Sequence, residues 1–130
     1  MNNFKDYYTK DLKKLAENNP YGNPFSAKII NLALNKSFNA VNTAKTSLIQ
    51  HAEINAINKI FEKKWQPQDC IIISSGNPCP MCLTAIAWSG IEQVYYMDEY
   101  TIANERGFKF DRDAQKVNKF LRLGLKIKKI

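Results

Sequence analysis

No uninterrupted apolar run in the sequence approaches the roughly 18 residues that a membrane-spanning helix needs. Residues 1–14 are polar and charged, without the apolar stretch of a secretion signal, so we expect a cytoplasmic protein. Internal repeats, linkers and low-complexity tracts are also missing, which favours one domain over residues 1–130. Cysteine is scarce: there are three, and two of them form a Cys-x-x-Cys pair, which in a reduced compartment indicates metal binding or redox chemistry.

Lysine and arginine outnumber the acidic residues, 19 to 12, which gives the chain a net charge of +7. Much of the excess lies near the two ends, at Lys10, Lys13 and Lys14 and between Lys116 and Lys129. A basic face can hold the phosphates of RNA or DNA, but a solvated face on a basic enzyme has the same composition. The net charge alone therefore does not identify a binding partner. The apolar content of 45% is enough for a packed core.

Apolar periodicity predicts alternating helices and strands. Leu12 and Leu15 continue a helical spacing that begins at Phe4, whereas the apolar runs after residues 25 and 70 fit buried strands. The order is α-β-β-α-β-α-β-α-β, which predicts one sheet of about five strands with helices on both faces. The predicted helices are 3–18, 51–63, 80–89 and 111–121, and the predicted strands are 25–34, 38–41, 70–75, 94–97 and 125–130.

Two short motifs, His-Ala-Glu at 51–53 and Pro-Cys-Pro-Met-Cys at 78–82, predict a metal site. A catalytic zinc ion takes three protein ligands and keeps a fourth position for water, and His51, Cys79 and Cys82 supply three ligands. Two thiolates and an imidazole suit zinc, whereas magnesium and calcium prefer oxygen. The cysteines are spaced i and i+3 at the predicted start of a helix, so both sulphurs share one face and the helix N-terminus favours their anionic form.

Glu53 follows His51 by two residues and is predicted to act as a general acid and base beside the metal, not as a ligand. It would take a proton from water, deliver it to a ring nitrogen and help an amine leave as ammonia, which is hydrolytic deamination. Two simpler interpretations compete, because His-Ala-Glu occurs in helices by chance and Cys-x-x-Cys also serves redox and structural zinc sites. A structural site usually has four protein ligands, and the remaining thiol, Cys70, falls in an apolar strand where we expect it in the core.

Residues 51–57 and 78–88 resemble the HAE-x-x-AI helix and the PCPMC branch of the cytidine deaminase-like superfamily. That branch contains guanine deaminases and tRNA adenosine deaminases. The resemblance extends over residues 25–108 and implies a three-layer α/β/α sandwich with a central mixed sheet, one Zn²⁺ per chain, a homodimer, and the glutamate as proton shuttle. Ala-Ile-Ala-Trp at 85–88 is closer to bacterial guanine deaminases. Trp88 is therefore a candidate substrate contact, with a core position as the alternative.

The sequence differs from that family at three places that affect substrate binding and leave the predicted zinc ligands and Glu53 unchanged. Where guanine deaminases carry a purine-binding aspartate, a gap-free alignment places Ile102, whose side chain forms no hydrogen bond. Asp98 and Glu99 are the nearby candidates to replace it. Asn77 stands where a glutamate is expected before Pro-Cys, and residues 47–50 replace the usual Asp-Pro-Thr-Ala. The resemblance alone therefore leaves the identity of the substrate open.

An asparagine on the second strand commonly binds substrate in this branch. Asn39 matches that position best and Asn42 is its rival, although either asparagine can instead cap a turn.

The sequence thus predicts a zinc-dependent hydrolase that deaminates a small nucleobase or nucleoside, with a preference for purines. The alternative is a tRNA adenosine deaminase, which draws on the PCPMC motif and the basic ends of the chain. An alternative of another class is a zinc-stabilised binding protein that has lost catalysis. Proteins that have lost catalysis often lack the residue that transfers protons, whereas Glu53 is present here, which argues against this alternative.

Overall fold

The structure of the protein, a computed structural model, describes residues 4–45, 47–97 and 114–130. The described elements follow the predicted order α-β-β-α-β-α-β-α-β, with one added turn of 3-10 helix before the third strand. The helices are α1 (Phe4–Glu17), α2 (Ala52–Glu62), α3 (Pro80–Ser89) and α4 (Ala114–Leu121), with the 3-10 turn at Pro67–Asp69. The strands are β1 (Ser26–Asn31), β2 (Lys36–Val41), β3 (Cys70–Ser74), β4 (Gln93–Tyr96) and β5 (Lys126–Lys129).

The five strands form one mixed sheet in the order β2-β1-β3-β4-β5. Strand β1 runs antiparallel to both of its neighbours, β2 and β3. Strands β3, β4 and β5 run parallel to one another. This arrangement confirms the prediction of a central mixed sheet.

Helices cover both faces of the sheet, as predicted. On one face, α2 and α3 pack over a core that includes Ile29, Ile72 and Val94, all of them fully buried. These three side chains are neighbours in adjacent strands, because Ile29 pairs with Ile72 and Ile72 with Val94. On the other face, Leu12 of α1 packs over a second core cluster of β-strand residues that includes Ile73. No helix among the described residues is both long and apolar enough to span a bilayer.

The first strand is shorter than predicted. Its apolar sequence runs to Leu34, but β1 ends at Asn31, and both Leu32 and Leu34 lie in an exposed turn. The Asn31 side chain accepts the backbone N–H of Leu34 at 2.9 Å, and Asn35 adopts a left-handed φ of 52°. Asparagine favours such turns, so the turn chemistry ends the strand before the apolar residues run out.

The sheet brings the starts of α2 and α3 to one edge. Strand β2 ends at Val41 and leads into α2, and β3 ends at Ser74 and leads into α3. Val41 pairs with Ser26 of β1, and Ser74 pairs with the next β1 residue, Ala27, so the carboxyl ends of β2 and β3 flank the start of β1. Residues that follow either strand therefore meet at this edge.

We expect Ile72→Ala to lower the free energy of unfolding by about 2–5 kcal/mol, because it leaves a cavity in the centre of the sheet. Leu34→Ala is the matched control, since Leu34 is 51% exposed; we expect this exposed truncation to change stability by less than ~0.5 kcal/mol. Urea denaturation of both variants measures the difference. Equal stability losses would contradict the placement of β3 at the centre of the core.

Candidate active site

One imidazole and two thiols converge where α2 and α3 begin. The Nδ1 atom of His51 lies 3.6 Å from Sγ of Cys79 and 3.5 Å from Sγ of Cys82. All three atoms lie within 4.8 Å of one another, and they form a group able to hold a metal ion. The structure thus brings together the three residues that the sequence predicts as zinc ligands. We call them the metal cluster.

The first turn of α3 positions both cysteines. Cys79 is the N-cap residue with extended backbone angles, φ −72° and ψ 166°, and Pro80 occupies the first helical position, where its missing N–H costs nothing. The backbone N–H of Cys82 donates to Sγ of Cys79 at 3.4 Å. The sulphur therefore takes the place that a serine or aspartate oxygen usually holds at a helix start.

His51 is the N-cap residue of α2, with φ −66° and ψ 161°. Its backbone N–H donates to the carbonyl of Ile49 at 2.8 Å, and its carbonyl accepts the N–H of Asn55 at 3.0 Å. The imidazole makes no capping bond and is free to face the sulphurs. Both backbone bonds hold the backbone of His51 at the start of α2.

Glu53 lies in the first turn of α2 and is only 7% exposed. Burial raises the pKa of its carboxyl group, and a hydrogen bond with Cys82 opposes that effect only in part. The carboxyl group therefore sits against the metal cluster in a site where holding a proton is favoured. A carboxyl group in this environment is suited to accept a proton and to return it.

The two thiols of the cluster do not ionise alike. Hydrogen bonds, first from the thiol of Cys82 and then from His51, lower the pKa of Cys79 to about 4 despite burial. The pKa of Cys82 is raised, because its thiol donates to Cys79 and a second buried anion would face both Cys79 and Glu53. The hydrogen bond with Cys79 raises the pKa of His51. A dication among these atoms would relieve this crowding, and two sulphurs with one imidazole nitrogen are a donor set that zinc accepts.

Cys70 lies apart from the cluster, as predicted. It opens β3, is 3% exposed, and belongs to the core between the sheet and α2. Its thiol reaches the carbonyl of Gln66 at 3.5 Å. Burial and the nearby Asp69 raise the pKa of this thiol to about 11. Cys70 is therefore a core residue.

Asn39, predicted as a substrate contact, lies on the sheet face that α1 covers. Its neighbours in β2, Phe38 and Ala40, pack on the opposite face with α2 and α3. Asn39 donates to Oδ2 of Asp11 at 2.8 Å, and Lys28 donates to the same oxygen at 3.0 Å. Burial raises the pKa of Asp11, but these two hydrogen bonds outweigh it and hold the pKa below its ordinary value. The structure thus does not bring Asn39 to the metal cluster.

Trp88, the other predicted substrate contact, lies in the last turn of α3 and is 87% exposed. At about 1.5 Å per residue along a helix, it is roughly 9 Å further along the axis than Cys82. The structure places it neither beside the metal cluster nor in the core that was the alternative.

Asn42, the rival of Asn39, lies directly after β2 and is 4% exposed. The adjacent Thr43 donates its backbone N–H to the carbonyl of Gln50 at 2.9 Å, which ties this segment to the residue before His51. Asn55 of α2 strengthens the connection, since its Nδ2 atom lies 2.9 Å from both the Val41 carbonyl and the Thr43 hydroxyl. The segment that carries Asn42 is therefore bonded to the start of α2, whereas Asn39 bonds to α1.

Sequence reasoning missed the asparagines that hold this segment. Asn55 lies within the 51–57 motif, to which the sequence analysis assigned no such contact, and Asn19 donates to the carbonyl of Asn42 at 2.7 Å. Asn77 accepts the backbone N–H of Ala114 at 3.2 Å, so it links the loop before Cys79 to α4. Ile102, Asp98 and Glu99, which concern substrate specificity, lie outside the described residues.

A mixed five-stranded sheet that delivers one imidazole, two thiols and a buried carboxyl group to one edge defines an α/β protein with a zinc site. Residues 2–98 match the cytidine and deoxycytidylate deaminase zinc-binding region, and the chain belongs to this family. The predicted family and fold class are confirmed. The zinc cofactor is also supported, because the matched region is zinc-binding and the metal cluster can hold the ion.

Guanine deaminase of Bacillus subtilis (strain 168) is 40% identical over 91 residues, which are 67% of this chain and 58% of that protein. A crystal structure of guanine deaminase from Bacillus subtilis has 33% identity and a TM-score of 0.65, covering 88% of this chain and 74% of the other. The structure of guanine deaminase from Nitrosomonas europaea has a TM-score of 0.69 at 18% identity, covering 95% and 73%. At that identity the likeness shows the fold alone.

We expect Cys82→Ala to lose zinc, whereas Cys70→Ala keeps about one zinc per chain, because only Cys82 belongs to the three-ligand cluster. The two variants are matched, since each removes one buried thiol. Atomic absorption of the purified proteins, with circular dichroism to confirm folding, measures the outcome. Equal zinc content in the two folded variants would contradict the cluster.

Proposed function

We propose that residues 1–130 act as one zinc-dependent aminohydrolase domain that removes an exocyclic amine from a nucleobase or nucleoside, preferably a purine. In this assignment His51, Cys79 and Cys82 hold the metal ion, and Glu53 is the catalytic acid and base. The observation that carries the proposal is the buried carboxyl group of Glu53 in contact with the metal cluster. The preference for purines is supported by the similarity to the guanine deaminase of Bacillus subtilis.

Hydrolytic deamination replaces a carbon–nitrogen bond with a carbon–oxygen bond. Water attacks the ring carbon that carries the amine, a proton moves to the ring nitrogen, and the amine leaves as ammonia with a further proton. A zinc ion bound there would act as a Lewis acid that polarises a water molecule and lowers the pKa of that water. The protein must then carry protons between water, ring and leaving group.

Glu53 has the position and the environment to carry these protons. Its carboxylate accepts a proton from water, returns it to the ring nitrogen, and later assists the departing amine. Burial of Glu53 raises the pKa of the carboxyl group, which makes its carboxylate a stronger base.

Of the two candidate asparagines, we propose Asn42 as the residue that binds the substrate ring. The support is its position, because the segment after β2 is bonded to the segment that ends at His51. Asn39 instead makes its hydrogen bond to Asp11 on the other face of the sheet.

We expect Glu53→Gln to retain zinc but to lower kcat by about 10²–10⁴-fold, since the amide keeps the shape of the side chain and cannot accept the proton. Glu62→Gln is the control on the same helix; this residue is exposed, and its substitution leaves kcat unchanged. Ammonia release is measured across free bases, nucleosides, nucleotides and tRNA. Full activity of the Glu53→Gln enzyme would rule out the assigned role.

Deamination of adenosine in tRNA is the second candidate function. A group of lysines around the free edge of β2 favours it, because Lys59 and Lys63 lie 5.0 and 5.8 Å from the centre of the Phe38 ring and have no carboxylate partner among the described residues. Aromatic rings beside lysines are a common feature of single-stranded nucleic-acid sites. Ammonia release from tRNA, with none from free bases, would support this candidate. If the zinc-loaded protein released no ammonia from any substrate, the alternative of a zinc-stabilised binding protein without catalysis would be supported.

We further propose that the enzyme is a cytoplasmic homodimer. Support for the dimer comes from two neighbouring helices, α3 and α4, which expose Trp88 at 87% and Phe120 at 86%. Large exposed aromatic side chains commonly mark contact surfaces. Support for the compartment comes from the assignment of Cys79 and Cys82 as metal ligands, because the pair must stay reduced to bind zinc.

We expect sedimentation velocity to give twice the chain mass of 14.9 kDa. Trp88→Lys should shift the protein to the monomer, because a charge would replace the aromatic ring in the contact. Leu34→Lys, at another exposed apolar residue, is the control that stays dimeric. A monomer in the unsubstituted protein would refute the dimer.

A further inference from the structure

The two outer strands of the sheet differ in how their free edges are covered. Helix α4 covers the edge of β5, because Gln115 donates through Nε2 to the carbonyl of Ile127 at 2.7 Å. Asn118 of the same helix bonds to both the carbonyl and the N–H of Leu125, at 2.8 and 3.1 Å. Bonds of this kind keep another strand from pairing there. Strand β2 is the other outer strand, and it pairs only with β1.

The register of β2 against β1 shows which main-chain groups of β2 point away from the sheet. The residues of an outer antiparallel strand alternately bond to the neighbouring strand and point outward. The N–H of Asn42 donates to the carbonyl of Phe25 at 3.1 Å, which continues the β1–β2 ladder past the end of β2. The even-numbered residues of β2 therefore bond to β1, and the N–H and carbonyl groups of the odd-numbered residues point outward, at Ser37, Asn39 and Val41.

Only part of this outward row is bonded. The Val41 carbonyl accepts a hydrogen bond from Nδ2 of Asn55 at 2.9 Å, as its outward direction requires. Within the described part of the chain, the main-chain N–H and carbonyl groups of Ser37 and Asn39 have no partner. They offer donors and acceptors in the spacing that an added strand needs. We call the main-chain groups of Ser37 and Asn39 the β2 edge.

Positive charge lies beside the β2 edge on the face that α2 covers. The ammonium groups of Lys59 and Lys63 lie 5.0 and 5.8 Å from the centre of the Phe38 ring. Lys36 is exposed and lies two residues before Phe38, on the same face of the strand. In the described part of the chain none of these lysines has an ion-pair partner, and Glu62 of α2 does not pair with them. The positive charge on this face is therefore uncompensated.

The opposite face of the β2 edge carries no such excess of charge. There the Asn39 side chain donates to the carboxylate of Asp11, and the ammonium group of Lys28 pairs with the same carboxylate at 3.0 Å. The side chains of a strand alternate between the two faces of a sheet. Acidic side chains on an added strand are therefore favoured at every second position, on the face of Lys59 and Lys63.

The same charges argue against a second copy of this chain at the β2 edge. Two copies paired through β2 would bring both sets of lysines together, and like charges on adjacent strands destabilise the pairing. Lysines beside an outer strand commonly prevent such self-association. With an acidic partner, the repulsion becomes attraction.

We propose that the β2 edge docks an extended peptide that has acidic residues at every second position and adds a strand to the sheet. The main-chain groups of Ser37 and Asn39 bind the peptide backbone, and the three lysines select its acidic side chains. Lys63 follows His51 by 12 residues, which places it roughly 18 Å further along α2. Docking there is separate from the metal cluster, goes beyond the proposed function and does not depend on it.

A synthetic peptide of alternating glutamate and threonine tests the docking directly. Added to the zinc-loaded protein, it should slow amide hydrogen exchange at Ser37 and Asn39 by roughly tenfold or more, because both N–H groups become bonded. A peptide of the same composition with all its glutamates adjacent has the same charge in the wrong spacing, and we expect it to bind roughly tenfold more weakly. Unchanged exchange at Ser37 and Asn39, or equal binding of the two peptides, would refute the docking.

Two sets of variants separate main-chain pairing from charge. Ser37→Pro removes one outward N–H where an outer strand tolerates proline, so binding of the alternating peptide should weaken roughly tenfold with zinc content unchanged. The double variant Lys59→Glu with Lys63→Glu leaves the backbone intact and should instead bind a peptide of alternating lysine and threonine. The double variant Lys126→Glu with Lys128→Glu on β5 changes the net charge equally and should still bind the acidic peptide.

Three results would assign the β2 edge differently and overturn the proposal. Equal loss of acidic-peptide binding in the β5 double variant would show that net charge alone drives the binding. A dimer that Ser37→Pro converts to a monomer would place a second copy of the chain at the edge. Oligouridylate that displaces the peptide and binds more tightly would place a nucleic acid at the lysines.

Discussion

The rest of the site depends on one constraint: three donor atoms that compete for protons must be held within 4.8 Å of one another. Their proximity lowers the pKa of Cys79 and raises that of Cys82, and separation would relieve the conflict. The packing of α2 and α3 on the sheet prevents that separation. Ala52 and Ala56 are fully buried, and their small side chains let α2 lie close against the strands. Helix, core and metal cluster are thus parts of one arrangement.

Much of this arrangement follows from local sequence. The spacing of Cys79 and Cys82 after a proline fixes a helix start, and α3 begins and ends at the predicted residues, Pro80 and Ser89. Cys70 was assigned to the core from its apolar neighbours, and it lies there. These predictions succeed because helix capping and burial depend on residues close together in the chain.

The remaining features depend on contacts between distant residues. Whether Asn39 or Asn42 approaches the cluster depends on which way each side chain points, and β-strand alternation gives that answer only once the register with β1 is known. Hydrogen bonds join Asn19, Asn23 and Asn42, whose sequence spacing has no periodicity that would predict the contact. Trp88 was predicted as a contact from a resemblance, and a sequence cannot show that the last turn of α3 faces solvent.

The burial of Cys70 also makes its thiol far less reactive than that of Cys79. Thiolates react with alkylating agents and oxidants, and a thiol with a pKa of about 11 inside a β-strand is almost never ionised at neutral pH. Cys79, with a pKa of about 4, is ionised at neutral pH when no metal ion is bound to the cluster. Oxidative damage to this protein is therefore expected first at Cys79, a member of the metal cluster. The same contrast makes alkylation a direct gauge of how much of a sample carries metal.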